Sequence, residues 1–141
     1  MVRIELSMTQ LNLEKLLKID NESYNLLRVI SMFMKLDESQ NVPLQAMAVF
    51  WYVATYQNCS KKDIEQYFGM SKASASRLTD YISRYHRLGK AGLGLISKEL
   101  DPKDKRRTLL KLTRKGKDLI EKSFTTLYED MKDVFQIDYE E

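Results

Sequence analysis

The chain has 141 residues, 43% hydrophobic and 30% charged, with a formal net charge of +3, a balance that suits an ordinary globular domain and excludes a disordered one. No apolar run approaches the roughly 18 residues of a membrane span, and the N-terminus lacks a basic-then-apolar signal pattern, so the expected address is cytoplasmic, with no membrane partner. One cysteine and one histidine leave no internal disulfide and too few soft ligands for zinc, so neither a metal nor a cofactor is expected.

The modest net charge hides a strong polarity along the chain. Residues 1–59 hold 5 basic and 6 acidic side chains, residues 60–117 hold 16 and 6, and residues 118–141 hold 2 and 8. The middle block, at net +10, is the footprint of a protein that meets a polyanion, the alternative being an ordinary solvated face.

Residues 1–9 carry little pattern. From Leu11 the apolar positions keep helical spacing through Leu13, Leu16, Leu17 and Ile19, then Tyr24, Leu26, Leu27, Val29, Ile30, Met32, Phe33 and Met34, with a break expected at Asn21 to Ser23. That is more apolar surface than one helix face needs, and a second subunit would cover it; a plain core helix is the alternative. After a polar loop at Asp37 to Asn41, Pro43 opens a helix to about Tyr56 that carries Met47, Val49, Phe50, Trp51, Tyr52 and Val53. This is the expected hydrophobic spine, its aromatics serving as core or, alternatively, as a small-molecule pocket.

Gln57 to Ser60 form a turn in which Ser60 caps the next helix, with Ile64, Tyr67 and Phe68 facing inward. Lys61 and Lys62 at the start of that helix oppose its dipole, which fits an external phosphate held at the same place. Cys59 beside them is a small filler, with a mildly activated thiol as the alternative.

Gly69 then separates this helix from Met70 to Tyr85. Ser71 is its N-cap, and a rotation of about 100° per residue puts Ser71, Ser74, Ala75, Leu78, Tyr81, Ile82 and Tyr85 inward. Lys72, Ala73, Ser76, Arg77, Thr79, Asp80, Ser83 and Arg84 fall on the other face. Small side chains with Arg and Lys on the outer N-terminal half are what a helix needs to lie in a DNA major groove.

The glycine-rich HRLGKAGLG, from His86 to Gly94, marks a turn or a close backbone approach. Leu95 to Leu100 and Thr108 to Leu112 are expected strands, joined by a charged loop in which Lys105, Arg106 and Arg107 form a basic tip. Asp104 there is placed to brace an arginine while Arg106 or Arg107 reaches a minor groove. Thr113 caps the last helix, and Leu119, Ile120, Phe124, Leu127, Tyr128, Met131 and Val134 keep its spacing.

Three motifs in this order, SKKDIEQYFGMSKASASRLTDYI, the loop DPKDKRR and LTRKG at Leu112 to Gly116, resemble the MarR family of winged-helix transcription regulators over about Ser23 to Phe124. The resemblance implies a mainly α (α+β) fold: one winged helix-turn-helix domain over 1–141, a DNA-binding lobe at about 42–116, and dimerisation helices at about 10–36 and 117–137. It implies a homodimer on a pseudo-palindromic duplex, with no catalysis. Lys72, Ser74, Ser76 and Arg77 match the family's recognition-helix contacts, Arg106 its wing arginine, and Asp104 the acid that orients it. Ser60, Lys61, Lys105 and Arg107 complete the expected DNA-binding set.

Two features depart from the family pattern: the His86 to Gly94 link is longer and the C-terminal helical region is shorter. Many family members bind small phenolic or lipophilic ligands, or sense oxidants through a cysteine nearer the N-terminus than Cys59. Neither trait carries over, and a small-molecule effector stays an open partner. The competing function from another class is a winged-helix module whose basic lobe docks on an acidic protein. An enzyme is disfavoured, because no phosphate-binding glycine loop, Cys/His dyad or paired carboxylates are present.

Overall fold

A computed structural model of the chain describes residues 21–39, 41–84 and 90–129. The expected helical stretch from Leu11 to Ile19, the residues Tyr85 to Gly89, and Met131 and Val134 lie outside that range.

In chain order the elements are helix α1 over 21–34, α2 at Leu44–Thr55, the two-residue strand β1 at Cys59–Ser60, α3 at Lys61–Phe68, α4 at Lys72–Ile82, strands β2 at Ile96–Leu100 and β3 at Thr108–Leu112, and α5 at Arg114–Leu127. Helices thus flank a small antiparallel sheet of order β1-β3-β2, the topology of a winged helix. The sheet register pairs Cys59 with Leu110 and Ser60 with Leu109 on one side of β3, and Ile96 with Leu112 through Leu100 with Thr108 on the other.

The chain divides into two compact units. One is Phe33–Lys122, and the other joins the residues up to Met32 with those from Ser123 on. In the first, α2 is the spine: Ala46, Val49, Phe50 and Val53 are buried, and Phe50 meets the Phe33 ring at a centroid distance of 5.5 Å. The same unit buries Ile64 of α3, Ala75 and Ile82 of α4, Ile96 of β2 and Leu110 of β3, each fully or nearly so. Burying a side chain of this size contributes roughly 1.5–3 kcal/mol, so this shared core contributes substantially to holding α4 in the lobe.

In the second unit Val29, Asn25, Ser123 and Thr126 are buried, and Arg28 pairs with Glu129 at 2.8 Å. Tyr24, Leu26, Leu27 and Ile30 of α1 remain exposed, as do Phe124 and Tyr128, whose rings stack.

Four expectations need correction. Asn21 to Ser23 are helical, so no break occurs there. Cys59 and Ser60 extend as a third strand because their backbones pair with β3, a long-range contact that a turn-like local sequence does not announce. Tyr67 faces outward at 66% exposure, stacking at its edge on Phe68, where the sequence placed it inward. Thr79 and Ser83 of the expected outer face are buried. The Thr79 hydroxyl donates to the Ala75 carbonyl at 2.7 Å, and Ser83 Oγ to the Asp80 carbonyl at 2.8 Å, which lets both polar groups enter the core satisfied.

Candidate nucleic-acid interface

Helix α3 begins with reciprocal capping. Asp63 N–H donates to Ser60 Oγ at 3.1 Å and Ser60 N–H donates to Asp63 Oδ2 at 2.8 Å, so two otherwise orphaned donors are satisfied together. That bond from Ser60 is the main reason the Asp63 carboxyl lies below its usual range. Ser60 is only 2% exposed, and its side chain is engaged in the cap at the edge of this surface. The helix ends at Gly69, whose φ of 61° is a left-handed conformation that glycine adopts without strain.

Helix α4 starts three residues later. Ser71 accepts from the Ser74 N–H at 3.1 Å and fixes the first turn, leaving Lys72, Ala73 and Arg77 exposed, with Ser74 and Ser76 half-buried. Its far end is held in an unusual way. Backbone N–H groups of the glycine-rich link and of Leu95 donate to the last two helical carbonyls and the two that follow: Leu93 to Tyr81 at 2.9 Å, Leu95 to Ile82 at 2.9 Å, Gly94 to Ser83 at 3.0 Å and Gly92 to Arg84 at 3.1 Å. The first two are acceptors that a helix C-terminus ordinarily leaves to solvent or to a capping residue. The Tyr81 hydroxyl, in addition, donates to Asp37 Oδ2 at 2.7 Å, which lowers the Asp37 carboxyl, while burial and that carboxylate push the Tyr81 phenol up.

The wing is the β2–β3 hairpin. Asp101 N–H bonds the Arg107 carbonyl across its neck at 2.9 Å, and two aspartates shape the tip by accepting from backbone N–H groups two residues on: Asp101 from Lys103 at 2.9 Å and Asp104 from Arg106 at 3.0 Å. The Asp104 carboxylate thus holds Arg106 by its main-chain N–H. Arg107 reaches Asp63 at 3.7 Å and links the wing to the α3 cap, and Lys98 of β2 pairs with Asp80 of α4.

Between these parts lies a groove of about 780 Å³ lined by Lys61, Lys62 and Gln66 of α3, Lys72 of α4, and Asp104, Arg106 and Arg107 of the wing, with Ser60, Asp63, Glu65 and Thr108. Two of its acids are committed elsewhere: Asp63 to the cap, Asp104 to the wing turn. Among the described residues Lys62, Lys72, Arg77, Lys105 and Arg106 have no carboxylate partner. The structure thus brings Lys61, Lys72, Arg106 and Arg107 to one groove, with Arg77 further along the outer face of α4 and Lys105 at the wing tip. Sequence reasoning did not anticipate the bond from Lys61 Nζ to Ser76 Oγ, at 2.8 Å, which only the packing of α3 on α4 creates.

Cys59 is buried beneath this surface, and burial pushes its thiol up to about 11. That is the setting of a filler, not of an activated nucleophile. Among the described residues no group of three or more His, Cys, Asp or Glu is placed to hold a metal ion, and no helix is long and apolar enough to cross a membrane.

No family model matches the chain, and no curated protein matches it. Solved structures do. The chain is similar to the S. aureus MepR–DNA complex, with a TM-score of 0.59 at 18% identity over 92% of this chain and 92% of that one. It is similar to the crystal structure of MarR, with a TM-score of 0.51 at 20% identity over 88% and 89% of the two chains. Reduced AbfR bound to DNA gives a TM-score of 0.52 at 17% identity, with 94% of each chain covered. In its fold, this chain is a MarR-like winged helix.

Proposed function

We propose that the chain is a sequence-specific, double-stranded DNA-binding transcription regulator, working as a homodimer on a pseudo-palindromic operator, with repression by occlusion of the promoter as its simplest output. The observation that carries this reading is the set of cations without carboxylate partners around the α3–α4–wing groove. A solvated face would neutralise many of its charges internally, whereas a surface that binds phosphate keeps them available. Two of the similar structures are described as DNA-bound, MepR and AbfR, which supports the same use of the fold here. The homodimer is supported by the exposed Tyr24, Leu26, Leu27 and Ile30 beside Phe124 and Tyr128, an apolar patch of the kind that monomers rarely leave open.

The test is a gel shift with the DNA upstream of the protein's own gene against random duplex. A specific regulator retains its complex in excess competitor, with a discrimination of about 10³-fold or more. Equal retention on both duplexes, or none on either, would transfer the basic lobe to an acidic protein partner.

A further inference from the structure

The bond from Lys61 to Ser76 brings a cation from another helix onto a hydroxyl of α4. An ammonium group has only donors, so Ser76 Oγ must be the acceptor, at 2.8 Å. The other hydroxyls of this helix have spent or reversible hydrogens: Thr79 and Ser83 donate to carbonyls within the helix, and Ser71 and Ser74 face each other at 3.0 Å, a pair in which either can donate. Among the described residues Ser76 Oγ donates to no protein acceptor. A cation on one side of a hydroxyl orients the oxygen toward itself and the hydrogen away.

Lys61 is rigidly supplied for this role. It is the first residue of α3, fixed by the Ser60–Asp63 capping box, and both it and Ser76 are half-buried. Its backbone is thereby held in place facing α4, and its charge is not matched by a carboxylate among the described residues.

We propose that Lys61 sets Ser76 as a hydrogen-bond donor toward the major groove, so that a base offering an acceptor is favoured opposite Ser76 and cytosine is disfavoured there. The inference rests on the DNA-binding reading above. In the major groove purines present N7, guanine also O6 and thymine O4, whereas the cytosine edge presents only the N4 amino donor. Ser76 alone, as a free rotor, would tolerate either; Lys61 occupies one of its two lone pairs and turns the hydrogen away from itself, which weights the hydroxyl toward donation. Lys61 is thus a specificity-positioning residue, acting on the base through Ser76.

Selection of binding sites from a randomised duplex library decides the matter, using the full chain, Ser76→Ala, Lys61→Met and Lys61→Gln. The unaltered protein should exclude cytosine at one position per half-site by about 3- to 10-fold, the worth of one neutral hydrogen bond. Ser76→Ala and Lys61→Met should both flatten that position and leave the preferences at other positions in place. Lys61→Gln should relax it as well, because a glutamine amide can accept from Ser76 and free its direction; it also serves as the second test should the apolar Met perturb folding. A uniform loss of affinity in the Lys61 variants with cytosine still excluded would reduce Lys61 to a phosphate or packing lysine and overturn the proposal alone. Failure of the unaltered protein to enrich any motif would overturn the DNA-binding reading, and this inference with it.

Discussion

A β-carbon on Gly92 would lie 1.9 Å from the carbonyl oxygen of Ser83. The link after α4 is pressed onto the end of that helix, and only a residue without a side chain allows its N–H groups to reach the terminal carbonyls. Gly69, by contrast, has open space around its β position and needs glycine only for its φ of 61°. Gly92→Ala should therefore cost more than the roughly 1–3 kcal/mol typical of overpacking, since the clash is with backbone that cannot rotate away. Gly69→Ala should cost only about 1 kcal/mol. Denaturant titration of the two variants checks the order, and a larger loss at Gly69 would mean that the link does not hold the helix end.

This joint shows what local sequence can and cannot disclose. Ser60, Ser71 and Thr113 were legible as caps because capping is settled within one turn, and the hairpin was legible from alternation and a polar loop. Thr113 Oγ1 does accept from the Gly116 N–H at 3.1 Å. The glycine cluster announced a close approach but not its partner. Thr79 was misplaced because a hydroxyl that bonds its own helix behaves as an apolar group, and periodicity counts it as polar. β1 and the Lys61–Ser76 bond went unseen because each is made by segments far apart in the chain, brought together by the burial of Ile64, Ala75 and Leu110.

Cys59 makes a prediction in pH. Its folded thiol, at about 11, lies above the ordinary value of 9.0. A raised value means that the folded state holds the proton more tightly, so the associated stability is fully present below pH 9 and is lost as pH rises from there toward 11. Alkylation by iodoacetamide at pH 8 should be far slower in the folded protein than in denaturant, because both burial and a scarce thiolate oppose it. Labelling at equal rates in the two states would show that the thiol is open.

The apolar patch on α1 and the end of α5 predicts a dimer at micromolar concentration, with an interface of more than about 2,000 Å² if it is obligate. Leu27→Glu and Ile30→Glu should each weaken association by roughly 30-fold or more, the effect of removing a central anchor. Sedimentation velocity reads this directly. A well-folded monomer in the unaltered protein would leave the patch to some other partner.

The wing gives the sharpest separation of charge from geometry. If a dimer neutralises on the order of 8 phosphates, log K should fall against log salt with a slope near −7, and Arg106→Ala should make that slope shallower by about one for each phosphate the wing no longer neutralises. Arg77→Ala, on the outer face of α4, should instead relax base preference at one or two positions, since a bidentate arginine–guanine contact discriminates by about 1–3 kcal/mol. Asp104 distinguishes the two physical accounts of the tip. Simple electrostatics holds that removing its charge tightens binding whatever replaces it. Its carboxylate, however, accepts from the Arg106 N–H at 3.0 Å, and its own carbonyl accepts from the Arg107 N–H at 2.9 Å, so it also sets the turn from which both arginines project. Asn keeps that side-chain acceptor without the charge, and Ala removes both. Asp104→Asn should accordingly bind DNA as well as the unaltered protein or somewhat tighter, while Asp104→Ala should bind more weakly, most of all on sites with A·T-rich flanks, where a narrow minor groove makes the placement of an arginine matter. Affinities of the two variants on a small operator panel decide it: tighter binding by both would mean that charge alone governs Asp104 and that the turn it shapes is dispensable.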